Sequence, residues 1–134
     1  MKVFISTSAV FYNKVAPVIF ALESFGHTVI PPNGYESELD ENEIRDGNNH
    51  QEWKANMLRQ DIELVEACDA ILVLNYEKNG QINYVGASAF LEIFKAFELN
   101  KKRFILNPLP EGGFKDELAG MNPLVINGDL SLIA

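Results

Sequence analysis

Six consecutive residues, Ala70 to Asn75 (AILVLN), constrain this chain more than any other stretch. A strand with one wet face alternates apolar and polar side chains. An unbroken apolar run of this length, with Asp69 before it and the turn-rich YEKNGQINYVG after it, implies a strand buried on both faces. Such a strand belongs in the middle of a parallel sheet with helices on each side.

The flanking segments supply those elements. Lys2 to Ser6 reads as a short buried strand and Phe11 to Phe25 as a helix, with Val15, Val18, Ile19 and Leu22 at helical spacing and Gly26 as its stop. His27 to Pro31 reads as a second strand, parallel to the first, because the helix between them has the length of a right-handed crossover. His50 to Ala67 returns to a helical period. After the central strand come a helix that opens behind Gly86, a strand from Arg103 to Asn107, a short helix around Phe114 to Ala119 and a last strand, Leu124 to Asn127. Five strands alternating with four helices predict one α/β domain over residues 1–134: a doubly wound, five-stranded parallel sheet in three layers, order 2-1-3-4-5.

Pro32 to Asn49 breaks the pattern. Glu36, Glu38, Asp40, Glu41, Glu43 and Asp46 stand there against a single Arg45. At about eighteen residues this acidic, flexible loop exceeds the usual connection, and it reads either as a lid or as a disordered insertion.

Composition excludes several function classes. A net charge of −8 without a basic run argues against duplex nucleic acid and against an anionic membrane surface. The opening apolar run breaks at Ser6-Thr7-Ser8, too early for a signal-peptide core, and no stretch has the length of a membrane span. The one cysteine, Cys68, has no disulfide partner within the chain, which suits a reducing cytoplasm. There is no G-x-G-x-x-G after the first strand and no P-loop. His27 and His50 lack the spacing of a zinc site, and His27 reads as structural. Neither a metal nor an organic cofactor is expected.

In an open sheet of this order, ligands bind beyond the carboxyl ends of the strands, at the switch point between strands 1 and 3. That edge gathers Ser6, Thr7 and Ser8, whose hydroxyls serve either an anion or merely the turn, together with Asn75, Tyr76 and the first turns of the helix behind Gly86. Two carboxylates draw attention. On a wheel at about 100° per residue, Phe90, Phe94 and Phe97 form a face that reads as core, while Ser88, Ala89, Ala96 and Leu99 surround Glu92 at the border of the wet sector. Glu92 is then either a solvated partner of Lys95 or a reactive group. Asp61 falls in the apolar arc formed by Trp53, Met57, Leu58, Ile62, Leu64 and Val65, so it needs a specific partner, as a structural tie or as part of a site.

Three segments, FISTSAVFYNKVAPVIFALESFGHTVIPP, RQDIELVEACDAILVLNYEKNG and YVGASAFLEIFKAFELNKKRFILNPLPE, give the chain a resemblance to the nucleoside 2-deoxyribosyltransferase-like family. The resemblance implies a flavodoxin-like fold, a homodimer or larger homo-oligomer, and cleavage or transfer of the N-glycosidic bond of a small-molecule 2-deoxynucleoside or its 5-monophosphate. It makes Glu92 the nucleophile, forming a covalent glycosyl-enzyme intermediate. Asp61 and Tyr84 are candidates for the general acid. Ser6, Thr7, Ser8, Asn75, Gly86 and Ser88 are expected to contact substrate, and Tyr76 or Tyr84 to stack on the base. Where the family has a glycine-containing turn after strand 1 and an aspartate near the end of strand 3, this chain has Ser6-Thr7-Ser8 and Asn75. Two further readings of the same fold are a non-catalytic nucleotide-binding module and a flavin-binding electron carrier.

Overall fold

The computed structural model describes residues 1–36 and 49–134. Most of the acidic stretch, including the choice between lid and disordered insertion, lies outside the described residues.

The chain folds as an α/β sandwich around one parallel sheet. Its strands are β1 (Lys2–Ser6), β2 (Thr28–Ile30), β3 (Ala70–Val73), β4 (Lys102–Ile105) and β5 (Leu124–Val125), in the order β2-β1-β3-β4-β5. All four neighbouring pairs run parallel, as strands joined by crossover connections do. β3 pairs with β1 on one side (Ser6 opposite Val73) and with β4 on the other (Val73 opposite Ile105). All of its residues are buried, which is why its sequence is apolar without alternation.

Helix α1 (Val15–Ser24) covers one face of the sheet. It packs Val15, Val18 and Leu22 against Val3, Ile5, Leu72 and Leu74, with Ile133 of the C-terminal segment in the same cluster. The sequence suggests a single helix from Phe11, but the structure begins it with a 3-10 turn, Ala9–Lys14. Pro17, at the third position of α1, has no N–H to give and is tolerated only in a first turn, so the regular helix starts just ahead of it. Gly26 ends the unit with φ of +92°. His27 is structural: the amino terminus lies 3.0 Å from Nδ1, and Nε2 lies 3.0 Å from the Ile133 carbonyl, closing the chain's two ends on β2.

Helices α2 (His50–Glu66), α3 (Ala87–Glu98) and α4 (Lys115–Gly120) cover the opposite face. Their cluster joins Val65, Ala89, Ile93, Ala96, Leu118 and Met121 to Phe4, Ile71 and Ile105. Here the structure corrects the helical wheel. The buried face of α3 is Ala89, Ile93 and Ala96, together with Glu92, while Phe94 is 47% and Phe97 39% exposed. The helix is rotated by one residue, about 100°, from the face that bulk alone suggests. Small side chains let α3 lie close on the sheet, and the displaced rings find other cover. Phe90 stacks on Phe114 at 4.6 Å, and the Arg103 guanidinium sits 5.3 Å from the Phe97 ring centre. Leu99 is exposed as well. Asn100, in the left-handed region at φ of 55°, turns the chain out of α3, and the Lys101 N–H bonds back to the Ala96 carbonyl before β4 begins.

Among the described residues no helix is long and apolar enough to cross a membrane.

Candidate active site

β1 delivers Ser6 to the carboxyl edge of the sheet, and α3, held close by its alanines, delivers Glu92 to the same point. The Ser6 hydroxyl donates to Glu92 Oε1 at 2.6 Å, and both side chains are buried. Thr7 turns the other way and donates to the Leu74 carbonyl at 2.7 Å, tying the ends of β1 and β3 together. Glu92 is therefore not a solvated helix residue, and Lys95 reaches Glu98 and Glu66 instead.

Asp61 arrives from α2 and meets Glu92. Only 8% of Asp61 is exposed, and its Oδ1 accepts from Asn33 Nδ2 at 2.8 Å. The same Asn33 amide donates to the Met57 carbonyl, and the Asn33 main-chain carbonyl accepts from the Tyr12 hydroxyl. The partner that burial demands of Asp61 is thus a side chain of the loop after β2. The sequence offered no periodic signal for Asn33, because Pro31-Pro32-Asn33-Gly34 reads only as a turn.

Two buried carboxyl groups side by side cannot both ionise cheaply. Burial, and then the Asp61 charge, push the Glu92 carboxyl up to about 8, against the pull of the Ser6 hydrogen bond and the Lys54 ammonium. Burial also raises Asp61, but Asn33, the hydrogen bond with Glu92 and Lys54 act to keep it ionised. Burial and the mutual repulsion of the two carboxyls therefore favour a proton on the pair, and at Glu92 they favour the neutral form. Lys54, two turns before Asp61 on α2, donates to the Ser88 hydroxyl at 3.3 Å. Lys54 makes no ion pair among the described residues, and the sequence reading passed it over.

The other expected contacts fall into separate groups. Gly86 starts α3 in an extended conformation, and a Cβ there would come within 3.4 Å of the Tyr84 hydroxyl. Tyr84 carries the Lys78 ammonium over its ring at 4.6 Å. Tyr76 packs edge-on against Phe11 and carries Lys14 over its ring at 4.5 Å. Ser8 precedes the 3-10 turn without capping it through its hydroxyl.

Asn75 is corrected most. It is fully buried and clasps the next strand: both of its amide hydrogens go to the Asn107 and Pro108 carbonyls, and its Oδ1 accepts from the Asn107 N–H. The Asn107 side chain returns a bond to the Asn75 carbonyl. Asn75 therefore fastens β4 to β3 and points away from the carboxyl pair. A groove of about 760 Å³ lies between residues 80–85 and 108–114; Tyr84 and Phe114 line it, and Ser6, Asp61 and Glu92 do not. Among the described residues no cluster of three His, Cys, Asp or Glu side chains could hold a metal ion.

No family model and no curated protein matches the chain. Among solved structures, the fold is similar to that of the Clostridium botulinum CMP N-glycosidase BcmB, with 16% identity, 79% of this chain and 71% of that chain covered, and a TM-score of 0.49. A likeness this loose bears on neither activity nor substrate. What the chain itself presents is a buried Asp61–Glu92 carboxyl pair, both members raised above the ordinary carboxylate range by burial, at the carboxyl edge of a five-stranded parallel sheet ordered β2-β1-β3-β4-β5.

Proposed function

We propose that the protein cleaves or transfers the N-glycosidic bond of a 2-deoxynucleoside or its 5-monophosphate, with Glu92 as nucleophile and Asp61 as general acid and base. One observation carries this reading: Glu92 lies buried at the switch-point edge, held by Ser6 and paired with Asp61. The resemblance of the three sequence segments named above points to the same residue. Glycosidic chemistry uses two carboxyl groups of unequal proton affinity, one to bond the anomeric carbon and one to manage the proton of the leaving group. Tyr76, Tyr84, Ser8, Gly86 and Ser88 are the proposed substrate contacts, and Ser6 orients the nucleophile.

A second reading, a nucleotide-binding module without turnover, is favoured by the proton that Glu92 retains near neutrality. The test is base release, followed by chromatography, from deoxynucleosides and their monophosphates, with and without an acceptor base. Release lost in Glu92→Ala supports the glycosidic reading, and its dependence on acceptor separates transfer from hydrolysis. No release, together with thermal stabilisation by a nucleotide, supports the binding module. The implied homodimer is part of this proposal; the exposed Leu91, Phe94 and Phe97 on α3 support it, and a light-scattering mass equal to one chain would remove it.

A further inference from the structure

We propose that Asn33 is the positioning residue of the carboxyl pair: donating from the loop after β2, it holds Asp61 as the carboxylate and leaves the shared proton on Glu92. The chemical consequence rests on the glycosidic reading above, whereas the proton placement does not.

The argument begins with donors and acceptors. An amide N–H can only donate, so Asp61 Oδ1, at 2.8 Å from Asn33 Nδ2, must be an acceptor. A hydroxyl donating at 2.6 Å likewise makes Glu92 Oε1 an acceptor and leaves Oε2 to carry a proton toward Asp61. Asn33 has little freedom to leave this post. Its second amide hydrogen is held by the Met57 carbonyl at 3.1 Å, and its main-chain carbonyl takes the Tyr12 hydroxyl at 3.0 Å. Gly34 follows at φ of +85°, with Met57 Cε 3.3 Å from where a Cβ would sit, so any larger residue there would be strained and crowded.

Few other groups face the pair among the described residues. α2 contributes Lys54 as well as Asp61, α3 contributes Glu92 and, through Lys54, the Ser88 hydroxyl, β1 contributes Ser6, and the β2 loop contributes the Asn33 amide. The Lys54 charge acts on both carboxyls and so sets the charge of the pair more than its division. Ser6 touches Glu92 alone and Asn33 touches Asp61 alone, but a hydroxyl can rotate to accept a proton as well as donate one, whereas the Asn33 amide N–H can only donate; of the two, Asn33 is the donor that fixes its carboxyl as an acceptor.

The proton then has a defined route. As substrate enters, the Glu92 carboxyl gives its proton to the Asp61 carboxylate, and the freed Glu92 oxygen bonds the anomeric carbon. The carbon–nitrogen bond breaks, its electron pair leaves with the base, and Asp61 returns the proton to that nitrogen. Water or an acceptor base then attacks the glycosyl ester, Asp61 takes its proton, and Glu92 departs as a carboxylate that recovers the proton from Asp61.

Carbon-13 NMR of protein labelled at the Asp and Glu side-chain carboxyls tests the assignment without substrate. In the wild type at pH 6, Asp61 should resonate as a carboxylate and Glu92 as a carboxylic acid. In Asn33→Leu, which keeps the bulk and removes the donors, the Asp61 titration should move up by about one pH unit and the proton should divide between the two groups. A role confined to loop stability would lower the melting point and leave the titrations in place, overturning the proposal. So would a wild type in which Asp61 holds the proton, an outcome that needs no variant to fold. Failure of base release with the predicted spectra would remove the glycosidic reading and leave the proton placement standing.

Discussion

Replacing Glu92 by Gln should stabilise the protein, and by an amount that depends on pH. The unfolded chain ionises at Glu92 near 4.5, whereas the folded chain holds that proton up to about 8. Between those values the unfolded state has lost a proton that the native state still binds, so stability falls as pH rises, by about 1.4 kcal/mol per unit. The full stability is present below 4.5, and the loss is complete above about 8. At pH 7 the deficit is roughly 3 kcal/mol, with little solvent screening to reduce it because Glu92 is 6% exposed. Glutamine removes the ionisation while keeping the shape: its carbonyl can accept from Ser6, and its amide can donate to Asp61. Thermal unfolding followed by circular dichroism should show Glu92→Gln melting about 10 °C above the wild type at pH 7, and within about 3 °C at pH 5. A difference that is the same at both pH values, or a variant less stable at both, would refute the assignment of the proton to Glu92.

Two further substitutions probe the packing. Ile93→Ala, on the buried face of α3, should lower stability by about 2–5 kcal/mol in urea. Phe94→Ser, one residue on, should cost less than about 1 kcal/mol, because surface changes are small, and equal losses would restore the phenylalanine face as core. Asn75→Ala should cost about 2–4 kcal/mol, since it strands the Asn107 N–H and two carbonyls; a urea midpoint close to wild type would show that the clasp contributes little.

The sheet was legible because parallel strands buried on both faces leave an unmistakable apolar run, as in AILVLN, and because Gly26 and Gly86 mark where helices stop and start. The strand order followed from the doubly wound pattern of five strands alternating with four helices. The face of α3 was not legible: periodicity fixes the angle between residues but not the absolute rotation, and three phenylalanines outweigh two alanines on any hydrophobic scale. Asp61 could be flagged as needing a partner from its place in an apolar arc, but that partner is a loop asparagine with no period to betray it. Asn75 and Asp61 show the same limit from opposite sides. Sequence locates a polar group at an edge; only the fold decides whether it faces the next strand or the cavity.

The clasp between Asn75 and Asn107 also governs how this edge moves. Residues 80–85 and 108–114 form the walls of the groove, and the chain leads to each wall from one of the two asparagines. Three hydrogen bonds between the two asparagines, and a fourth from Asn75 to the Pro108 carbonyl, mean that neither wall can swing out from its strand without dragging the other. The two walls are thereby coupled, so a molecule bound against one side of the groove should steady both.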